Sequence, residues 1–222
     1  KSTTSMPLVI HICIYDEHDY TINFFFKLNF ILHSAGGEIT VQSARYNSLD
    51  ISNRVLGLMR YLDLCILGWT SLATLSTIPE IQKYPFTSVV SMSDGTVHNS
   101  TGVPYFYLTP LDFPSKDLEI DSRCSISVSL MQTDFCKSKE YEADDPRCAR
   151  VMVTGRMEKM KNGTAEYNFA KEALFSRHPS MKNLPANHGF YVAKLDMKQI
   201  VMLAWFGGPT YIPIDQYLAY KQ

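Results

Sequence analysis

The chain has 222 residues, 45% of them hydrophobic and 19% charged, with a formal net charge of -1. This is globular composition, long enough to bury a core without metal or disulfide staples. A balanced charge and a pI near 6.6 offer no electrostatic basis for holding nucleic acid or an anionic membrane, so neither partner is expected.

Residues 1–50 read as an atypical N-terminal extension, and residues 51–222 as the domain proper. Within the extension, 6–15 and 22–32 are strand-like around a polar turn at 16–20, and Ser34-Ala35-Gly36-Gly37 breaks the pattern. The run 22–32 is apolar but too short to span a bilayer, and its acidic flank of Asp16, Glu17 and Asp19 does not suit a signal peptide. No membrane insertion is expected. From Ser52, apolar groups at Val55, Leu58, Met59 and Leu62 share one helix face, with Ser52 or Asn53 placed to cap it.

Residues 69–77 alternate small polar and apolar side chains as a strand, and Pro79 opens a short helical segment. Residues 86–92 and 103–109 predict two buried strands, joined through Ser93-Asp94-Gly95 by a long polar connection. Residues 115–121 look like a helical turn. Residues 124–131 alternate as a half-buried strand with Ile126, Val128 and Leu130 on one side. In 150–160 another strand places Val151, Val153, Gly155 and Met157 on one face, and Lys161-Asn162-Gly163 turns it. Residues 164–177 have helical spacing at Tyr167, Ala170 and Leu174, and Pro179 ends that helix. Strands at 190–195 and 200–206, a Gly207-Gly208-Pro209 turn and a short helix from Ile214 complete the chain. Strands with irregularly inserted helices predict an α+β, barrel-like domain and disfavour a doubly wound sheet.

The chemistry is sparse. Between Lys83 and Lys116 there is no Lys or Arg, although a phosphorylated cofactor held on these strands would want cations there. Arg177 beside His178 is a weak acid/base or phosphate pair; a histidine before proline at a helix end more often caps or packs. Asp144-Asp145 lacks the spaced oxygen ligands of a calcium loop. Tyr105-Phe106-Tyr107 reads as one core residue, Phe106, with two tyrosines on the opposite face, where they could stack a ligand or cover an interface. No catalytic or metal-binding residues are assigned.

Five cysteines without a C-x-x-C pair disfavour a zinc knuckle or redox motif. Cys136 and Cys148 bracket a charged loop whose ends meet easily; a bridge there would stabilise by roughly 3 kcal/mol, and two free thiols are the alternative. Asn99-Ser100-Thr101 and Asn162-Gly163-Thr164 are glycan acceptor sequons in turn-rich contexts. With the cysteine pair they favour a secretory route.

The runs Leu72-Ala73-Thr74-Leu75-Ser76-Thr77, Ser93-Asp94-Gly95, Gly102-Val103-Pro104-Tyr105-Phe106-Tyr107-Leu108, Gln132-Thr133-Asp134-Phe135-Cys136, Phe175-Ser176-Arg177-His178-Pro179 and Ala204-Trp205-Phe206-Gly207-Gly208-Pro209 resemble, in order, the CREG family, the cellular repressors of adenovirus-stimulated genes. The resemblance covers about 69–217. It implies a split β-barrel of the pyridoxamine-phosphate-oxidase type in a secreted, endolysosomal, homodimeric glycoprotein without enzymatic activity. It implies Cys136 and Cys148 as the family's cysteine pair and Asn162 as a glycan site, with Asn99 in a loop where the family varies. Growth, differentiation and lysosomal function, with the mannose 6-phosphate receptor as a glycan-dependent partner, are the implied roles. The related oxidases bind flavin mononucleotide with basic side chains on the strand corresponding to 87–92. Here that strand carries hydroxyls and no cation, so the flavin site is expected to be lost. The competing expectation is a flavin-dependent oxidoreductase that recruits Arg156, Lys159 or Arg177.

Overall fold

The computed structural model describes residues 68–96 and 99–219. The strands and helix expected within residues 1–64, and the boundary near residue 50, lie outside them. Seven strands form one antiparallel sheet: β1 (Trp69–Leu75), β2 (Pro85–Thr96), β3 (Asn99–Leu108), β4 (Arg123–Ser129), β5 (Arg150–Lys159), β6 (Tyr191–Leu203) and β7 (Thr210–Ile212). Their order is β3-β2-β1-β4-β5-β6-β7, and β3 also pairs with β6, which closes the first six into a barrel. Closure removes the two long edges that an open sheet of this length would leave unpaired. The α+β, barrel-like domain expected from the strand pattern is observed, and it is the split barrel that the family resemblance implies.

Alternation decides the interior. Leu72, Val90, Met92, Phe106, Ile126, Val128, Val151, Val153, Leu195, Ile200 and Met202 are buried in a single cluster. Register aligns them across strands: Phe106 faces Met92 on β2 and Ala193 on β6, and Ile126 faces Val153, which faces Ile200. Gly155 is the one inward position of β5 without a side chain, because a Cβ there would run into the backbone of Asp196. The register shifts at Thr154/Gly155, and this bulge re-phases β6, where Lys198 and Gln199 are both exposed.

Helices plug and cover this barrel. α1 (Phe113–Ile120) starts at Asp112, whose side chain accepts from the Phe113 N–H, with Pro114 in the first turn. Its buried Asp117 accepts from the Thr74 hydroxyl at 2.7 Å, the Thr77 N–H at 2.7 Å and the Thr77 hydroxyl at 2.8 Å, which fastens α1 to the end of β1. α2 (Phe135–Ser138) is a single turn carrying buried Cys136. α3 (Ala165–Arg177), capped by Thr164, lies over the outside of β2, β3 and β6, with Ala170 and Leu174 packed on Tyr105 and Val192. α4 (Ile214–Ala219) inserts Tyr217 into the core.

Two expectations are corrected. The long polar connection between the central strands is itself strand: Gly95 pairs with Ser100 and Thr96 with Asn99, past a register shift at Ser93/Gly95. The two C-terminal strands at 190–195 and 200–206 are one strand, β6, which ends at Leu203; the polar residues between them cross the bulge. The predicted facing of 105–107 holds, with Phe106 in the barrel and the tyrosines outward under α3.

Replacing Phe106 with Ala should cost about 3–5 kcal/mol in urea denaturation. A change indistinguishable from zero would remove Phe106 from the core.

Candidate functional site

Few charged groups are buried among the described residues, and one of them, Asp94, lies in the barrel wall at Ser93-Asp94-Gly95. Asp94 is fully buried on β2. A carboxylate taken out of water needs a cation or several donors. Arg177, at the end of α3, supplies the cation at 3.2 Å, with side chains only 10% and 1% exposed for Arg177 and Asp94. Arg177 also donates from Nε to the Gly95 carbonyl at 3.3 Å. The Ser100 hydroxyl donates to the other carboxylate oxygen of Asp94, and the Thr101 hydroxyl donates to the Asp94 carbonyl at 2.7 Å. Hairpin and helix are thereby joined through one side chain.

His178 completes the junction. Its Nε2 lies 2.9 Å from the Met92 carbonyl; a carbonyl only accepts, so the ring proton is on Nε2. The imidazole packs so closely on Gly68 that a Cβ there would stand 2.8 Å from Cε1. Arg177 and His178 therefore face inward as fasteners. They do not form an exposed acid/base or phosphate pair.

The other cations named as flavin ligands are exposed and each makes one contact within the chain. Arg156 donates to the Ser122 hydroxyl at 3.1 Å, and Lys159 sits 4.7 Å from the Tyr191 ring centre. The tyrosines are no open platform: Tyr105 meets Phe169 edge-on, and Tyr107 stands between Phe175 and Phe190. Burial raises the pKa of both phenols, keeping them neutral donors.

The outer face opposite α3 is different. Pairing places Val89, Ser71, Ser127, Met152, Val201 and Tyr211 in one row across β2, β1, β4, β5, β6 and β7. Val89 and Tyr211 are 64% and 66% exposed. Trp69, Trp205 and Phe206 are also exposed. The row itself is uncharged.

Cys136 and Cys148 are bonded, with Cα atoms 5.5 Å apart, and both residues are buried. Inside their loop Arg147 sits 4.0 Å above the Tyr141 ring and is held there by Asp145, at 2.6 Å. Hydrogen bonds from Arg147 hold the Asp145 carboxyl well below its usual range, at about 2. The Asp145 carboxylate is thus engaged by Arg147, and no group of three or more possible metal ligands occurs among the described residues. Cys124 is a free thiol; burial pushes it up to about 12, so it is protonated and unreactive at neutral pH. Of the sequons, Asn162 lies exposed in an open turn and Asn99 is exposed at the start of β3, in a strand and not a loop.

Sequence reasoning missed the Asp94–Arg177 pairing and the Asp117 anchor. The available signal was an aspartate inside an otherwise uncharged, strand-forming run.

Two measurements follow. Arg177→Ala should destabilise by about 3–5 kcal/mol, because it leaves Asp94 buried without its cation; a surface-sized loss in thermal or urea unfolding would break that account. For Asp145, a depressed folded pKa means the pair is intact above the ordinary carboxylate range and is lost only as pH falls toward about 2. The near-ultraviolet circular dichroism of Tyr141, isolated by difference against Tyr141→Leu, should therefore hold through mildly acid pH, and a loss around pH 5–6, above the ordinary carboxylate range, would show the pair does not order the loop.

Residues 67–219 match the family model described as CREG, beta-barrel. The chain is 38% identical to Protein CREG1 of Mus musculus over 149 residues, covering 67% of each chain. It is 41% identical over 150 residues to Protein CREG2 of Mus musculus, covering 68% of this chain and 51% of that one, so it spans about half the length of that relative. Among solved structures, a heme binding protein from Mycobacterium smegmatis aligns with a TM-score of 0.56 at 20% identity, over 79% of this chain and 62% of its own, which supports the split barrel as a fold. With its family match running from the residue before Gly68 to the last residue of α4, the chain belongs to the CREG β-barrel family.

Proposed function

We propose that this is a secreted, endolysosomal glycoprotein of the CREG type that acts by binding and not by catalysis. The observation that carries the reading is the commitment of Arg177 to Asp94 beside a β2 strand with no lysine or arginine of its own. A flavin phosphate on that strand would need cations, and Arg177 is engaged in holding the fold. The barrel has exchanged a phosphate-binding role for a structural one, and no cofactor is required. The disulfide and the exposed Asn162 turn support an oxidising, glycan-adding route. Glycans on Asn162 and Asn99 would offer the handle for a mannose 6-phosphate receptor, and through it the growth, differentiation and lysosomal roles of the family.

The protein acts as a homodimer. The uncharged row from Val89 to Tyr211 favours a two-fold partner, since a flat face of small hydroxyl and apolar groups desolvates at low cost. Arg150 and Arg156 flank it on β5 and would limit slippage between copies.

The deciding experiment is an absorbance spectrum of protein from a secreting eukaryotic culture, before and after flavin mononucleotide, with its mass before and after glycosidase. A colourless protein that ignores the cofactor and loses mass to glycosidase is the expected result. Stoichiometric flavin without glycan would make it an oxidoreductase. In sedimentation, Val89→Arg should turn a dimer into a monomer of unchanged stability; a wild-type monomer, or a variant dimer, would overturn the assignment of this face.

A further inference from the structure

The Asn99-Ser100-Thr101 sequon commits both of its hydroxyls to the folded protein. Ser100 donates to the buried Asp94 carboxylate. Thr101 donates to the Asp94 carbonyl at 2.7 Å and accepts from the Val103 N–H at 3.1 Å. The backbone is closed as well: Gly95 pairs with Ser100, and a Cβ on Gly95 would collide with the Asn99 carbonyl oxygen. Asn99 itself remains exposed. An N-glycan transferase, however, reads the third-position hydroxyl together with the asparagine, in a segment that can bend into its cleft. A triplet sealed along β2 offers it neither.

The second sequon is held far more lightly. Asn162, Gly163 and Thr164 are all exposed. Gly163 has φ +82 with no atom within 4 Å of where a side chain would start. The Thr164 hydroxyl donates to the Lys161 carbonyl at 3.2 Å and accepts from the Tyr167 N–H at 3.1 Å as the cap of α3, two exposed bonds within three residues at a helix end, where local fraying opens them without disturbing the barrel. The two acceptors differ in timing too. The cation that neutralises Asp94 lies 83 residues further along the chain, so the Asn99 lock is incomplete until α3 has been made and docked.

We propose that Asn99 is a glycan acceptor only in the interval before Arg177 docks on Asp94, whereas Asn162 accepts throughout, so that hairpin closure sets the number of glycans per molecule. This rests on the secretory reading above. In the transfer, the Asn99 amide nitrogen bonds to the anomeric carbon of a lipid-pyrophosphate-linked oligosaccharide. The carbon–oxygen bond to pyrophosphate breaks, the lipid pyrophosphate leaves with the electron pair, and the amide releases one proton. The folded hairpin denies the hydroxyl that would orient this attack.

The test expresses the full chain in secreting eukaryotic cells and reads both sites by glycopeptide mass from total lysate plus medium. Three conditions are compared: wild type, Arg177→Lys, and wild type with dithiothreitol, which withholds the Cys136–Cys148 bridge and the stabilisation it gives the folded barrel. The expected result is partial Asn99 occupancy in wild type, with the two-glycan form growing at the expense of the one-glycan form in the other conditions and Asn162 unchanged. Because lysate is included, a variant that fails to fold still reports, and its open hairpin should be filled. Asn99 occupancy identical in all three conditions, or a rise at Asn162 in parallel, would overturn the proposal with Asn162 glycosylation intact. Asn162 empty in every condition would instead take down the secretory reading on which it rests.

Discussion

A carboxylate at 0% exposure in the wall of a β-barrel is the constraint around which this molecule is arranged. Removing Asp94 from water is unfavourable by several kcal/mol unless its charge is met, and the groups that meet it come from two directions: Arg177 from α3 and Ser100 across the hairpin. Each is then fixed in turn. α3 must end where Arg177 reaches β2, which places His178 against the Met92 carbonyl. β3 must continue to Asn99 to bring Ser100 opposite Gly95. A charge that destabilises in isolation thus specifies both register and helix placement.

The same economy of cations separates the inner and outer surfaces functionally. Arg177 is buried against its partners within the chain, whereas Arg156 and Lys159 are exposed and make single surface contacts to Ser122 and the Tyr191 ring. What stays open is an uncharged row of hydroxyl, aliphatic and aromatic groups from β2 to β7, suited to shape-matched contact with protein more than to holding a charged small molecule. Tyr105 and Tyr107, the other candidates for a ligand platform, are covered by α3 and ring contacts.

Strand existence was legible because half-buried strands impose a period of two, and 69–77, 124–131 and 150–160 display it plainly. The failures have a common cause. Residues 93–102 contain the Ser, Asp, Gly, Asn and Thr that normally signal a loop, yet here those groups satisfy one another across a paired hairpin. Local composition cannot report a partner 83 residues away. The polar stretch in β6 misled similarly, since two consecutive exposed residues mark a bulge as well as a strand end. The short loop left a bridge or two free thiols open and the family resemblance chose the bridge; Asp117 was not legible, because its donors Thr74 and Thr77 lie 43 and 40 residues earlier in the chain.

The disulfide loop touches the core only through its two cysteines and Tyr141, and the rest of its order is local. The bridge closes the ends of the segment between α2 and β5, but the interior is exposed and rich in charge, with little to bury. Order comes from a sandwich: Asp145 fixes Arg147, and Arg147 lies over Tyr141 with the Phe206 ring 5.9 Å away on the β6–β7 connection. Because hydrogen bonds from Arg147 hold the Asp145 carboxyl down at about 2, mild acidification leaves this sandwich charged and assembled. The glycines at 207 and 208, both at positive φ, let the chain reverse beside Phe206 without side chains that would crowd the turn. The exposed aromatic edge at Trp205 and Phe206 is consequently presented on a braced loop, so that a partner meeting it need not supply the ordering free energy itself.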